Sequence, residues 1–260
     1  MDVAVVAITA FAAAFLTLFS GFGLGTLLLP AFAVFLPADV AVAATAVVHL
    51  ANNLFKVGLL GRHANLRVVL AFALPAACAA LAGALLLQAL AHQAPLATWS
   101  IGARLCTVTP IGLVLGCLIL GFALFELHPR SKAMAFPPRL LPLGGALSGF
   151  LGGLSGHQGA LRTAFLIRLG LAKEAFLATG IVSAVAVDLV RLTVYGLDLW
   201  QERVTRLDAA WPAVATGVAT AFLGSFLGAR MVRKVTMNAI HVLVGLLLVL
   251  LGVAIAAGVV

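Results

Sequence analysis

His157, Gln158, Arg162 and Arg168 stand in the glycine-rich stretch "LGGLSGHQGALRTAFLIRLG" (151–170). Their types and spacing suit the capture of an oxyanion. The glycines interrupt a helix, and a new helix is expected from about Ala160. Its first amides have no partner within the helix and point back into the break, where the helix dipole favours negative charge. His157 and Gln158 add side-chain donors beside Gly159. Arg162, one turn in, adds a guanidinium fork that matches an oxyanion. The competing reading is glycine for close helix packing, with Arg162 snorkelling to an interface. An earlier stretch, "SGFGLG" (20–25), offers the same free amides beside Gly23 and Gly25. Thr26 is its only polar side chain.

A second polar set lies in apolar surroundings. Asp188 and Arg191 are one helical turn apart, and His49, Asn52, Asn53 and Lys56 fall at helical spacing on one stripe. Ionisable groups within a membrane are costly, so a coupling or substrate path competes with a self-neutralising ion pair and a satisfied packing network. No metal site is expected, because His49 has no second ligand at metal spacing. Ser155 and His157 lack an orienting carboxylate nearby in sequence, so no catalytic set is evident. No cofactor is implied, and no GxxxxGK[ST] sequence supplies an ATP engine.

The elements that hold these residues are membrane helices. Of 260 residues, 63% are hydrophobic and 9% charged, with a mean hydropathy of +1.20. Apolar runs such as Val3–Phe19, Val68–Leu90, Leu105–Phe125 and Ala239–Val260 approach the length needed to cross a hydrocarbon core of about 30 Å as helices. Continuous rather than alternating apolar runs exclude a β-barrel. Asp2 stands where a signal peptide carries positive charge, so the first span is expected to be retained. Cys78, Cys106 and Cys117 lie in apolar spans without paired spacing and read as small buried hydrophobes. The net charge of +8 gathers in short loops, which is a topological signal and not a nucleic-acid surface.

The chain repeats itself. At an offset of 134, Gly25 matches Gly159, Leu27 matches Leu161, and Ala44-Thr45 matches Ala178-Thr179. One inserted residue later, Asn53-x-x-Lys56 meets Asp188-x-x-Arg191. This divides the chain into a first transmembrane repeat (1–127), a cytoplasmic linker (128–138) and a second repeat (139–260). Each half carries a short Gly-broken segment, the arrangement that marks a transporter's binding site. A half-unwound segment can just cross: twelve helical residues rise roughly 18 Å and four extended ones add about 13 Å. With five crossing segments per half and inverted halves, eleven Lys and Arg lie inside and five outside; four spans per half give nine and seven. The inverted arrangement also puts Trp99, Trp200 and Trp211 at the outer interface, with "GLDLWQERVTRLDAAW" (196–211) expected as a short interfacial helix.

Three stretches carry a resemblance: "GFGLGTLLLPAFAVFLPADVAVAAT" (21–45), "GRHANLRVVL" (61–70) and "GFLGGLSGHQGALRTAFLIRLGLAKEAFLATG" (149–180). In these the chain resembles the sulfite exporter TauE/SafE family, also called the toluene-sulfonate uptake permease family. The resemblance implies a multi-pass permease of the bacterial inner membrane for sulfur-containing anions such as sulfite or organosulfonates. His157-Gln158-Gly159 and Ala164 stand where many members have a glycine pair and a proline. The expected fold class is an all-α polytopic membrane protein, with Gly-broken short helices meeting near the membrane centre. The expected partners are a small anionic substrate and the lipid bilayer; coupling to protons or another ion and a homo-oligomer stay open. The alternatives are a cation or metal-ion permease, an intramembrane enzyme and an assembly factor.

Overall fold

The computed structural model describes residues 3–20, 24–102, 104–128, 134–202, 204–231 and 238–259. In the first half α1 (Val3–Ser20) is followed by the short α2 (Leu24–Ala33), α3 (Ala38–Leu60), α4 (Leu66–Ala91) and α5 (Pro110–Leu127). In the second, α6 (Leu141–Ser155) is followed by the short α7 (Gly159–Leu166), α8 (Lys173–Glu202), α9 (Val204–Met231) and α10 (Asn238–Ala256). Four helical stretches, Ala38–His63, Leu66–Ala91, Lys173–Gly196 and Ala210–Met231, are long and apolar enough to cross a membrane. The fold is that of an all-α polytopic membrane protein.

The halves are interlocked. α1 lies along α9 and α4 along α6, while α3 meets α8 and α5 meets α10. In lipid, helices gain nothing by hiding apolar surface from water, so close backbone approach and dispersion must hold them. Gly145, Gly149 and Gly153 on α6 face the carbonyls of Phe72, Ala76 and Ala80 on α4, and a methyl at any of the three would overlap its carbonyl. Gly83 does the same from α4 toward Phe150. Glycine for tight packing is therefore real in this chain, on α6 before the break. The opposite face of α4, with Leu66, Leu70, Leu74, Leu81 and Leu85, is exposed.

Three expectations need correction. Of the cysteines read as buried, Cys78 and Cys117 are exposed and Cys106 is buried. The helix expected from Leu105 begins at Pro110; before it, β1 (Ala97–Ile101) pairs antiparallel with β2 (Arg104–Val108). Thr109 caps α5 by accepting from the Gly112 amide at 3.1 Å, and Pro110 occupies the first turn, where it lacks nothing. These local start signals outweigh the hydropathy of residues 105–109. Among the described residues there is also no separate short helix over 196–211. Residues up to Glu202 extend α8, and α9 starts at Val204. An apolar stripe at helical spacing fits the ends of long helices as well as a short one. The side chains of Leu197, Trp200, Val204 and Leu207 lie outside the described residues. Trp99 and Trp211 are exposed, and the Trp99 Nε1–H donates to the Ala257 carbonyl at 2.8 Å.

Candidate functional site

The site forms where two broken segments meet. α6 ends on Gly156, whose φ of +82° caps the helix in the left-handed region; its amide bonds back to the Gly152 carbonyl at 2.9 Å. A side chain there would also strike the Arg191 guanidinium, 2.8 Å from the place of a Cβ. Glycine is thus required twice over. α7 starts three residues later at Gly159. From the other half, a Cβ on Gly25 would sit 3.2 Å from the Gly156 carbonyl oxygen and 4.0 Å from His49 Cδ2. The N-terminal turns of α2 and α7 therefore converge on one place.

A cavity lies there, with a volume of about 40 Å³ open to water centres. One water needs roughly 10–15 Å³ on that measure, so about three waters or one small oxyanion fit. Gly25, Thr26, Gln158, Gly159 and Arg162 line it, together with His49, Asn53 and Lys56 from α3. Thr17, Phe176, Gly180 and Ile181 are also part of the wall, and no carboxylate is among its described residues. Lys56 is buried at 4% exposure and donates to Thr17 Oγ1 at 3.1 Å. Asn52, with its amide turned to satisfy its neighbours, accepts from Lys56 Nζ at 3.1 Å and donates to Ser225 Oγ at 2.7 Å and to the Ala221 carbonyl at 3.2 Å. An ammonium has three hydrogens, so one is left for the cavity. Arg162 lies along α8, its Nε 3.2 Å from where a Cβ on Gly180 would stand.

Behind the wall is a buried network. Asp188, with no exposed surface, accepts from Arg191 Nε at 3.0 Å and has Arg191 Nη2 at 2.8 Å. It faces His49 Nδ1 at 2.6 Å, Asn53 Nδ2 at 3.2 Å and Gln158 Nε2 at 3.4 Å. Asp188 is the only carboxylate among the buried residues described. Arg191 neutralises it within one helical turn, so the local ion pair read from sequence is present. Across 139 residues, His49 and Asn53 join that pair to the cavity.

The sequence-derived set thus divides. Gly25, Thr26, Gln158, Gly159, Arg162, His49, Asn53 and Lys56 share the cavity. Asn52 supports Lys56, and Asp188 and Arg191 lie behind. The structure does not bring His157 to the cavity: its ring stacks on Phe122 of α5 at 5.2 Å, and Nδ1 lies 3.2 Å from the Ser155 carbonyl. The left-handed turn at Gly156 sends consecutive side chains to opposite sides. Gly23 lies outside the described residues. Thr17, Phe176 and Gly180 line the cavity without having been singled out in the sequence, where they look like ordinary apolar-helix residues.

A family model described as Sulfite exporter TauE/SafE matches residues 6–255, nearly the whole chain. The chain belongs to the TauE/SafE family. No curated protein and no solved structure matches it. Membership in TauE/SafE makes it a multi-pass membrane protein of a transporter family. In this TauE/SafE member two helix starts and two buried cations meet at one cavity.

Proposed function

We propose that the protein is a secondary permease of the bacterial inner membrane that exports a small doubly charged sulfur oxyanion, sulfite first among them. One observation carries this reading: the cavity wall holds Lys56 and Arg162, two helix N-termini converge on it, and no carboxylate is among its described residues. Buried cations favour an anionic cargo over a cationic one. Asp188 is matched by Arg191, and an anion in the cavity would set negative charge beside Lys56 and Arg162. The cavity's size supports an inorganic anion over an aryl sulfonate, and the same cations disfavour a cation or metal cargo.

The position of the cavity supports loading from the cytoplasm. Lys56 is near the end of α3 and Phe176 near the start of α8. The adjoining segments 61–67 and 168–173 are basic, and the Asn65 amide ties the first of them to α8 by donating to Thr179 Oγ1 at 3.0 Å. Basic loops belong in the cytoplasm, so the cavity loads from there. The repeat supports the same view. Helix lengths of 18, 10, 23, 26 and 18 residues are echoed by 15, 8, 30, 28 and 19. The offset of 134 carries Arg162, Leu166, Phe176 and Gly180 onto Leu28, Phe32, Val42 and Ala46. Those four are buried apolar residues, so the counterpart space on the other side is filled. In this reading two inverted repeats alternate access by exchanging a filled and an open half.

The test is flux of radiolabelled sulfite in proteoliposomes, with competition by sulfate, thiosulfate and an aryl sulfonate. Sulfite flux blocked by the small dianions and not by the aryl sulfonate is expected. Flux no greater than in empty liposomes would end the proposal.

A further inference from the structure

We infer that His49 is the proton-binding residue of the transport cycle: it gains one proton at Nε2 as the anion enters, and Asp188 orients it. The inference deepens the anion-permease reading and rests on it. His49 and Asp188 stand at the middle of α3 and α8, at the height where coupling sites of repeat-built transporters lie. The imidazole lines the cavity, with 11% of its side chain exposed. Its Nδ1 is committed to Asp188 Oδ2 at 2.6 Å. A carboxylate held ionised by Arg191 is an acceptor, so Nδ1 carries the hydrogen. Asn53 Nδ2, 3.1 Å from Nδ1 and 3.2 Å from Oδ2, then donates to the carboxylate. This fixes the tautomer and leaves a lone pair on Nε2, on the ring edge away from Asp188.

The charges around the ring explain why one proton and one anion belong together. The groups facing His49 are Asp188 and Arg191 from α8 and Arg162 from α7, with Lys56 on its own helix. The other helices against α3, which are α2, α4, α5 and α9, bring no charged group among the buried residues described. In the empty cavity, Lys56 and Arg162 oppose a third positive charge. An arriving anion offsets that opposition, and an imidazolium then sits between the anion and Asp188. Among the described residues of the wall, His49 is the imidazole, the side chain whose ordinary charge change falls between pH 5 and 8. The step is one acid–base event. Nε2 takes the proton from solvent, no bond of the anion breaks, and no electron moves. Asp188 stays ionised throughout and does not touch the anion; it is a positioning residue.

The experiment is calorimetric titration of the purified protein with sulfite near pH 7.5 in buffers of different ionisation enthalpy, for wild type and His49→Gln. The ionisation of sulfite itself is common to both proteins, so their difference isolates the side chain. We expect wild type to take up about one proton more per bound anion than His49→Gln. Equal proton uptake in the two overturns the inference. Should His49→Gln fail to fold or bind, histidine ring ¹⁵N spectra of the wild type decide. One buried ring turning to imidazolium on addition of sulfite supports the assignment, and no ring changing overturns it. Absence of sulfite binding by folded wild type would instead strike the functional reading, which the flux assay tests separately.

Discussion

Asn53 and Asp188 are hydrogen-bonded at 3.2 Å, and they are the positions that the internal alignment places on top of each other. Equivalent positions of two repeats touch only near the axis relating them. Gly25 of one half, close against Gly156 of the other, lies in the same place. The pairing also explains why the halves differ there. Two aspartates would set like charges together in a dry interior, whereas Asn opposite Asp gives a donor and an acceptor.

Asp188→Asn alone leaves Arg191 buried without its counter-ion, at a cost of about 3–5 kcal/mol. The double change Asp188→Asn with Arg191→Gln removes both charges and is expected to recover most of that loss. Thermal unfolding in detergent measures it. A double variant no more stable than the single one would refute the mutual neutralisation of the pair.

Arg162→Lys and Gln158→Ala alter groups in the cavity wall. Losing one hydrogen bond to a charged partner costs about 1.5–3 kcal/mol, so sulfite affinity is expected to fall roughly ten- to hundred-fold. His157→Ala, whose ring lies against Phe122, is expected to bind sulfite within about threefold of wild type while losing some stability. Binding to the purified variants checks both, and an affinity loss confined to His157→Ala would contradict the geometry.

Gly149→Ala forces a methyl onto the Ala76 carbonyl at the α4–α6 contact. Overpacking of this kind costs about 1–3 kcal/mol. Gly58→Ala is the control, since nothing lies within 4 Å of a Cβ there. A lower unfolding temperature for the first and not the second is expected.

Phe32→Ala opens space where the filled counterpart of the cavity lies. It is expected to let sulfite leak down its gradient without coupling to a second gradient. Net efflux from preloaded liposomes with all other gradients collapsed is the readout, compared with wild type.

The charge pattern puts residues 127–139 inside and both termini outside. Cysteine labelling of a chain with its three native cysteines replaced and one introduced after Val260 tests this. A cytoplasmic C-terminus would overturn the inverted arrangement.

The helices, the Gly breaks and the polar stretches were legible because each is local: hydropathy, helix spacing and glycine act within a turn or two. Partnership was not. Nothing in the spacing of His49 says that its neighbour is Asp188, because a stripe names a face of a helix and not what meets it. His157 and Gln158 look equivalent in sequence, and one left-handed residue before them parts their side chains. The hairpin at 97–108 was hidden because an apolar run suits strand and helix alike.

The first helix of each half lodges in the other half, α1 along α9 and α6 along α4. During synthesis α1 therefore waits in the bilayer, its packing face against lipid, until α9 has emerged nearly the whole chain later. Either half made alone would lack the groove for its own first helix and would offer an empty one.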